Sequence, residues 1–135
     1  MDILTARTKT IEYGLTGPDW ALDPTTPILL IKRKIGSSGG CGPGKFGNML
    51  VPDRIWFVNI KPACYCHDCR YHDLEDNVDT TDERYKADKE LFNNGEKIIR
   101  KESKNKFTRW LRMRVLLHYY MAVDVAGHKW KGDDA

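Results

Sequence analysis

Two stretches of this sequence bring together residue types that handle protons. The first is Ala63-Cys64-Tyr65-Cys66-His67-Asp68-Cys69-Arg70-Tyr71. On a helix, Cys64, His67 and Tyr71 are three and four residues apart and share one face. Asp68 is turned about 100° from His67, so the two point to adjoining sectors of one groove. One side chain can then handle a proton while its neighbour holds a cation. The second stretch is Asp82-Glu83-Arg84-Tyr85-Lys86-Ala87-Asp88. Asp82, Tyr85 and Asp88 recur every third residue and are expected along one side of a second helix. If the two helices pack antiparallel, Asp88 reaches His67. A carboxylate on one imidazole nitrogen fixes the tautomer and stabilises the imidazolium that forms when the other nitrogen takes a proton. With such a base, water can be the nucleophile, and no serine or cysteine is required.

A cation needs more oxygen than one carboxylate. Residues 36–47 read Gly-Ser-Ser-Gly-Gly-Cys-Gly-Pro-Gly-Lys-Phe-Gly. That glycine density suits special turns and not a helix. Carbonyls of this loop turned inward would complete an all-oxygen site with Asp68, the kind a hard cation such as Ca²⁺ prefers. The cation would act as a Lewis acid on an ester carbonyl.

The elements that must position these groups are predicted to be mainly helical. A helix is expected from about Pro62, where proline suits the first turn, to about Leu74. Thr80 and Glu83 form a capping-box pattern that starts a second helix, with Asn93-Asn94-Gly95 as its stop. A third helix is expected from 103 to about 125, stopped by Gly127, with Phe107, Trp110, Leu111, Val115, Leu117 and Met121 as its apolar stripe. Between the loop and the first helix, Trp56, Phe57, Val58 and Ile60 are expected to pack inward. The first 35 residues give short segments broken by Pro18, Pro24 and Pro27, with residues 28–31 as a strand or buried arm. The fold class is therefore mainly α: two central antiparallel helices, a third packed on them and a glycine-rich loop beside them.

These residues resemble a known family. Cys64, His67, Asp68 and Tyr71 as Cys-x-x-His-Asp-x-x-Tyr look like the active-site helix of the secreted phospholipases A₂, and Cys41-Gly42-Pro43-Gly44 resembles their calcium loop. Asp88, 21 residues after His67, stands where the short bacterial, fungal and parvoviral members place their second active-site aspartate. Tyr119-Tyr120-Met121-Ala122-Val123 followed by Gly127 is similar to the end of their last helix. The resemblance covers residues 36–130, leaving 1–35 as an N-terminal arm and 131–135 as a tail. It implies hydrolysis of the sn-2 ester of phospholipids, with His67, Asp88 and Tyr71 catalytic. It also implies Ca²⁺ held by Asp68 and the carbonyls of Gly40, Gly42 and Gly44, and a Cys41–Cys64 disulfide. In that reading the Tyr71 hydroxyl bonds Asp88. Two features depart from the family pattern: the stretch from Gly44 to Pro62 is longer, and Cys66 and Cys69 are not at its usual positions.

Other readings use the same residues. Cys64, Cys66, Cys69 and His72, with Cys41 as a substitute, offer zinc ligands, but on one helix they spread instead of converging. A catalytically inactive domain that keeps the fold is the third reading. Asp82 is more simply a first-turn acid favouring the helix dipole. His72, His118 and His128 have no such partners and are read as surface or core residues, and Trp20, Trp56, Trp110 and Trp130 as core.

Composition bounds the partners. At 135 residues, 41% hydrophobic and 30% charged, the chain suits one soluble domain with one core. Its net charge is only +3, but from 97 to 114 eight lysines or arginines stand against Glu102. That stretch reads either as a solvated helix face or as an attractor of polyanions. With Trp130 between Lys129 and Lys131, the resemblance points it to a phospholipid membrane surface, with no nucleic acid expected. The longest apolar run, 27–31, is too short to span a bilayer. The first seven residues lack the layout of a signal peptide, so secretion after processing and association with a virus or phage are both expected origins.

Overall fold

The computed structural model describes residues 2–36, 54–55, 58–76 and 81–130. Its elements are α1 (Ile3–Tyr13), α2 (Asp19–Leu22), α3 (Ile28–Ile35), β1 (Arg54–Ile55), β2 (Val58–Asn59), α4 (Lys61–Asp76), α5 (Thr81–Glu102) and α6 (Lys106–Trp130). The fold is mainly helical, as the periodicity predicts. The two strands pair antiparallel, Arg54 with Asn59 and Ile55 with Val58. Val58 and Ile60 are buried as expected, while Trp56 and Phe57 lie outside the described residues.

The first 35 residues are helical, not extended. Asp2 caps α1, its Oδ1 accepting from the Thr5 N–H at 2.8 Å, and Gly14 ends it in the left-handed region at φ 70°, which glycine adopts without the Cβ penalty. Residues 28–31 open α3, with Pro27 at its N-cap. Pro27 sits just outside a helix it cannot disrupt, and only Ile31 of this segment is buried. Helical spacing, not alternation, thus sets what it covers. Buried Arg7 ties the turn between α2 and α3 to α1 by donating to the Asp23 carbonyl at 3.2 Å and the Thr26 carbonyl at 2.6 Å. Ile3, Ala6, Leu15, Ala21 and Ile31 join one buried cluster with Ala63, Tyr65, Cys66, Leu91 and Ile98. The N-terminal segment therefore shares the core of the central helices.

Two helices run longer than their stop signals suggest. Asn93-Asn94-Gly95 lies inside α5, which continues to Glu102. Asn94 is buried, its amide donating to the Thr16 carbonyl at 2.8 Å and its oxygen accepting from the Thr16 N–H at 3.1 Å. At Gly95 α6 comes close: a Cβ there would lie 2.8 Å from Leu116 Cδ1. Both residues serve contacts between elements instead of ending a helix. Likewise α6 continues past Gly127; Asn105, just before its first residue, accepts from the Thr108 N–H at 2.8 Å.

The expected apolar stripe of α6 is also displaced. Leu116 is fully buried in the core cluster, and Met113, Val115 and Tyr119 pack against that cluster, so Val115 of the expected stripe does face inward; Tyr120 meets Phe92 of α5 edge-on at 5.4 Å. Phe107, Trp110, Leu117 and Met121 face outward. Positions 107, 110, 117 and 121 do share a helical face, but it is not the face that meets α5.

Candidate active site

α4 and α5 carry the site. Arg70 meets Glu90, Tyr71 meets Asp88 and Leu74 clusters with Ala87, so the two helices run in opposite senses. His67 on α4 and Asp88 on α5 are 3% and 0% exposed, and His67 Nε2 lies 2.7 Å from Asp88 Oδ1. One turn along α4, the Tyr71 hydroxyl donates to the same Oδ1 at 2.8 Å. The His67 and Tyr71 rings lie 4.4 Å apart at 39°, so each fixes the other's tilt. An ionised carboxylate can only accept, so with Asp88 charged the imidazole proton sits on Nε2 and the Nδ1 lone pair is the basic atom. Asp88 Oδ2 is buried and meets no hydrogen-bond donor among the described residues. That leaves its charge compensated mainly through Oδ1, next to the imidazole.

Asp68 is buried beside His67 on α4. Cys64, one turn before, is disulfide-bonded. Its expected partner Cys41 lies outside the described residues, as do Gly40, Gly42 and Gly44 and the whole expected calcium loop. The part of the oxygen set that is described, the Asp68 carboxylate, fits a hard cation in type and in its place next to the base.

Asp82, Tyr85 and Asp88 do not line one side of α5. Asp82 and Tyr85 are exposed, and the inward positions are Arg84, Ala87, Asp88 and Leu91. A spacing of three falls 60° short of a full turn at each step. Two steps carry Asp82 about 120° away from Asp88, which keeps it a first-turn acid.

A second pairing beside the site was not anticipated from sequence. Arg70 forks onto Glu90, Nε to Oε1 at 3.2 Å and Nη2 to Oε2 at 3.0 Å. These bonds hold the Arg70 guanidinium above its usual range. Thr16 donates to the same carboxylate at 3.1 Å. The clamp fastens α4 to α5 and both to the N-terminal segment. Its signal in the sequence is opposite charge at a separation of 20 residues, close to the 21 between His67 and Asp88.

Of the zinc-type ligands on α4, one is already bonded elsewhere. Cys64 is committed to a disulfide. Cys66 and Cys69 are buried free thiols. Burial pushes the Cys66 thiol up to about 12 and the Cys69 thiol up as well. His72 packs edge-on against Trp20 at 6.2 Å.

No family model, curated protein or solved structure matches the chain. A functional reading therefore rests on the residues and their geometry.

Proposed function

We propose that the protein is a calcium-dependent esterase acting on the sn-2 ester of phospholipids at a membrane surface. The observation that carries this reading is the buried 2.7 Å contact between His67 Nε2 and Asp88 Oδ1, with Tyr71 on the same oxygen. A histidine held this way is oriented as a general base. Nδ1 of His67 takes a proton from a water molecule as that water attacks the ester carbonyl. Asp88 stabilises the imidazolium so formed. The imidazolium then returns the proton to the departing lysophospholipid oxygen, releasing the fatty acid and restoring the neutral base. Tyr71 is a positioning residue that holds the Asp88 carboxylate in register with the imidazole.

Ca²⁺, held by Asp68 and the carbonyls of Gly40, Gly42 and Gly44, would polarise the ester carbonyl and balance the developing oxyanion. Without it, attack by a neutral water on an unactivated ester has no electrostatic support, so activity depends on the ion. The test is fatty-acid release from phospholipid with calcium, with excess EGTA, and after calcium is added back. The expected result is loss in EGTA and recovery with calcium. Full activity in excess chelator contradicts the calcium assignment. Absence of release under all three conditions, in folded protein, leaves the inactive-domain reading standing.

A further inference from the structure

The basic stretch is two surfaces, not one. Lys97 and Lys101 are engaged with the end of α1, donating to the Gly14 and Glu12 carbonyls at 3.0 and 3.4 Å. Arg112 donates to Ser103 Oγ at 2.9 Å, closing the turn before α6. These cations hold elements together. Arg100 of α5 pairs with Glu96 at 3.2 Å, and Lys106, Arg109 and Arg114 stand on α6 among large apolar side chains. Phe107 and Trp110 are 68% and 56% exposed, and Leu117 and Met121 are exposed further along. Arg114 lies over the Trp110 ring at 5.7 Å. A cleft of about 510 Å³ opens here, lined by Arg100, Lys106, Phe107, Arg109, Trp110 and Met113.

The positions 107, 110, 114, 117 and 121 alternate steps of three and four, so they form one stripe, about 21 Å long at the helical rise. Its charge is one-sided. From 106 to 123 α6 carries Lys106, Arg109 and Arg114 beside the stripe, Arg112 turned to Ser103, and no aspartate or glutamate. This selects the occupant. A second copy of the same face would bring these cations against one another with no acid between them. A nucleic acid would satisfy the cations but leave Leu117 and Met121 against a polar backbone. An anionic leaflet meets both needs, with headgroup charge for the cations and the acyl boundary for the aromatic and aliphatic tips.

We infer that the outer face of α6, centred on Phe107 and Trp110 with Lys106, Arg109 and Arg114 around them, is the surface by which this protein docks on anionic phospholipid membranes. The inference takes its ligand class from the proposed phospholipid reading, but docking is measured without turnover. The experiment is co-sedimentation with vesicles of phosphatidylcholine alone and of phosphatidylcholine with phosphatidylglycerol, beside hydrolysis of a soluble short-chain ester and sedimentation of the protein by itself. The variants are Phe107→Ala/Trp110→Ala and Arg109→Glu/Arg114→Glu. The residues are surface-facing, so the fold should persist, and thermal unfolding checks it.

Each double variant should lower partitioning onto the anionic vesicles by at least about tenfold. Soluble-ester hydrolysis should stay at the wild-type rate. High salt should erase the deficit of the charge-reversed variant but not that of the alanine variant. Anionic-vesicle binding unchanged in the alanine variant overturns the inference. So does a wild-type dimer that the alanine variant converts to monomer while vesicle binding persists, which would make the face an interface between copies. Weaker vesicle binding together with no ester hydrolysis in any protein, wild type included, supports the docking face and contradicts the esterase.

Discussion

The facing sides of α4 and α5 and the outer side of α6 handle polar and apolar groups in opposite ways. Between α4 and α5, charged and titratable groups are joined: buried His67 and Tyr71 to buried Asp88, and half-buried Arg70 to Glu90. On α6, large apolar groups are exposed among cations. Both arrangements run against the ordinary tendency to bury the apolar and expose the charged. The first is expensive unless every group finds its partner, because an isolated buried charge costs far more than a paired one. The second loses burial that a neighbouring element could have provided. Among the described residues, the buried polar contact between α4 and α5 and the exposed apolar stripe of α6 thus lie on different helices.

Substitutions across the two regions should therefore behave differently. The largest effect short of removing the base is expected at Asp88. Asp88→Asn removes the charge that stabilises the imidazolium and permits the wrong tautomer. Ester hydrolysis should fall toward the lower end of the roughly 10²–10⁴-fold that a general base contributes. Tyr71→Phe leaves the carboxylate bonded to His67 and should cost mainly stability, about 1.5–3 kcal/mol as the lost bond to a charged group. Denaturant unfolding and turnover of a soluble ester separate the two. Equal loss of activity in both variants would make Tyr71 more than a positioning residue.

A smaller contrast lies between the two sides of α6. Gly95→Ala places a Cβ 2.8 Å from Leu116 Cδ1 and should destabilise by about 1–3 kcal/mol through overpacking. Leu117→Ser, on the outward side, should change stability by no more than about 0.5 kcal/mol. Equal destabilisation would mean that the outer stripe is covered in solution by something that stabilises the fold.

The polar region was legible in the sequence and the rest of the helix packing was less so. The contacts of His67 and Tyr71 with Asp88 are legible because spacing within α4 is local and antiparallel packing brings α5 against it. The start of α4 was marked by Pro62. What failed were signals that are local in form but answer to distant partners. Asn93-Asn94-Gly95 has the composition of a helix stop, but Asn94 is bonded to Thr16 and Gly95 makes room for Leu116. Residues 28–31 have the composition of a strand, yet they are helical because Pro27 starts a turn that buries Ile31 on the core. The apolar positions of α6 outnumber those one neighbour can cover, so periodicity alone cannot say which of them face inward. The Arg70–Glu90 clamp needed the register of α4 against α5, which only the packing supplies.

The measurement that bears most directly on the central claim is sn-2 fatty-acid release from phospholipid by the wild-type protein and by His67→Gln, side by side, with calcium present and both proteins folded. Glutamine keeps a polar group beside Asp88 but cannot take a proton from water. Release by the wild type and a loss of at least about 10²-fold in the variant are expected, with vesicle binding unchanged. Release at the wild-type rate by His67→Gln would contradict that claim.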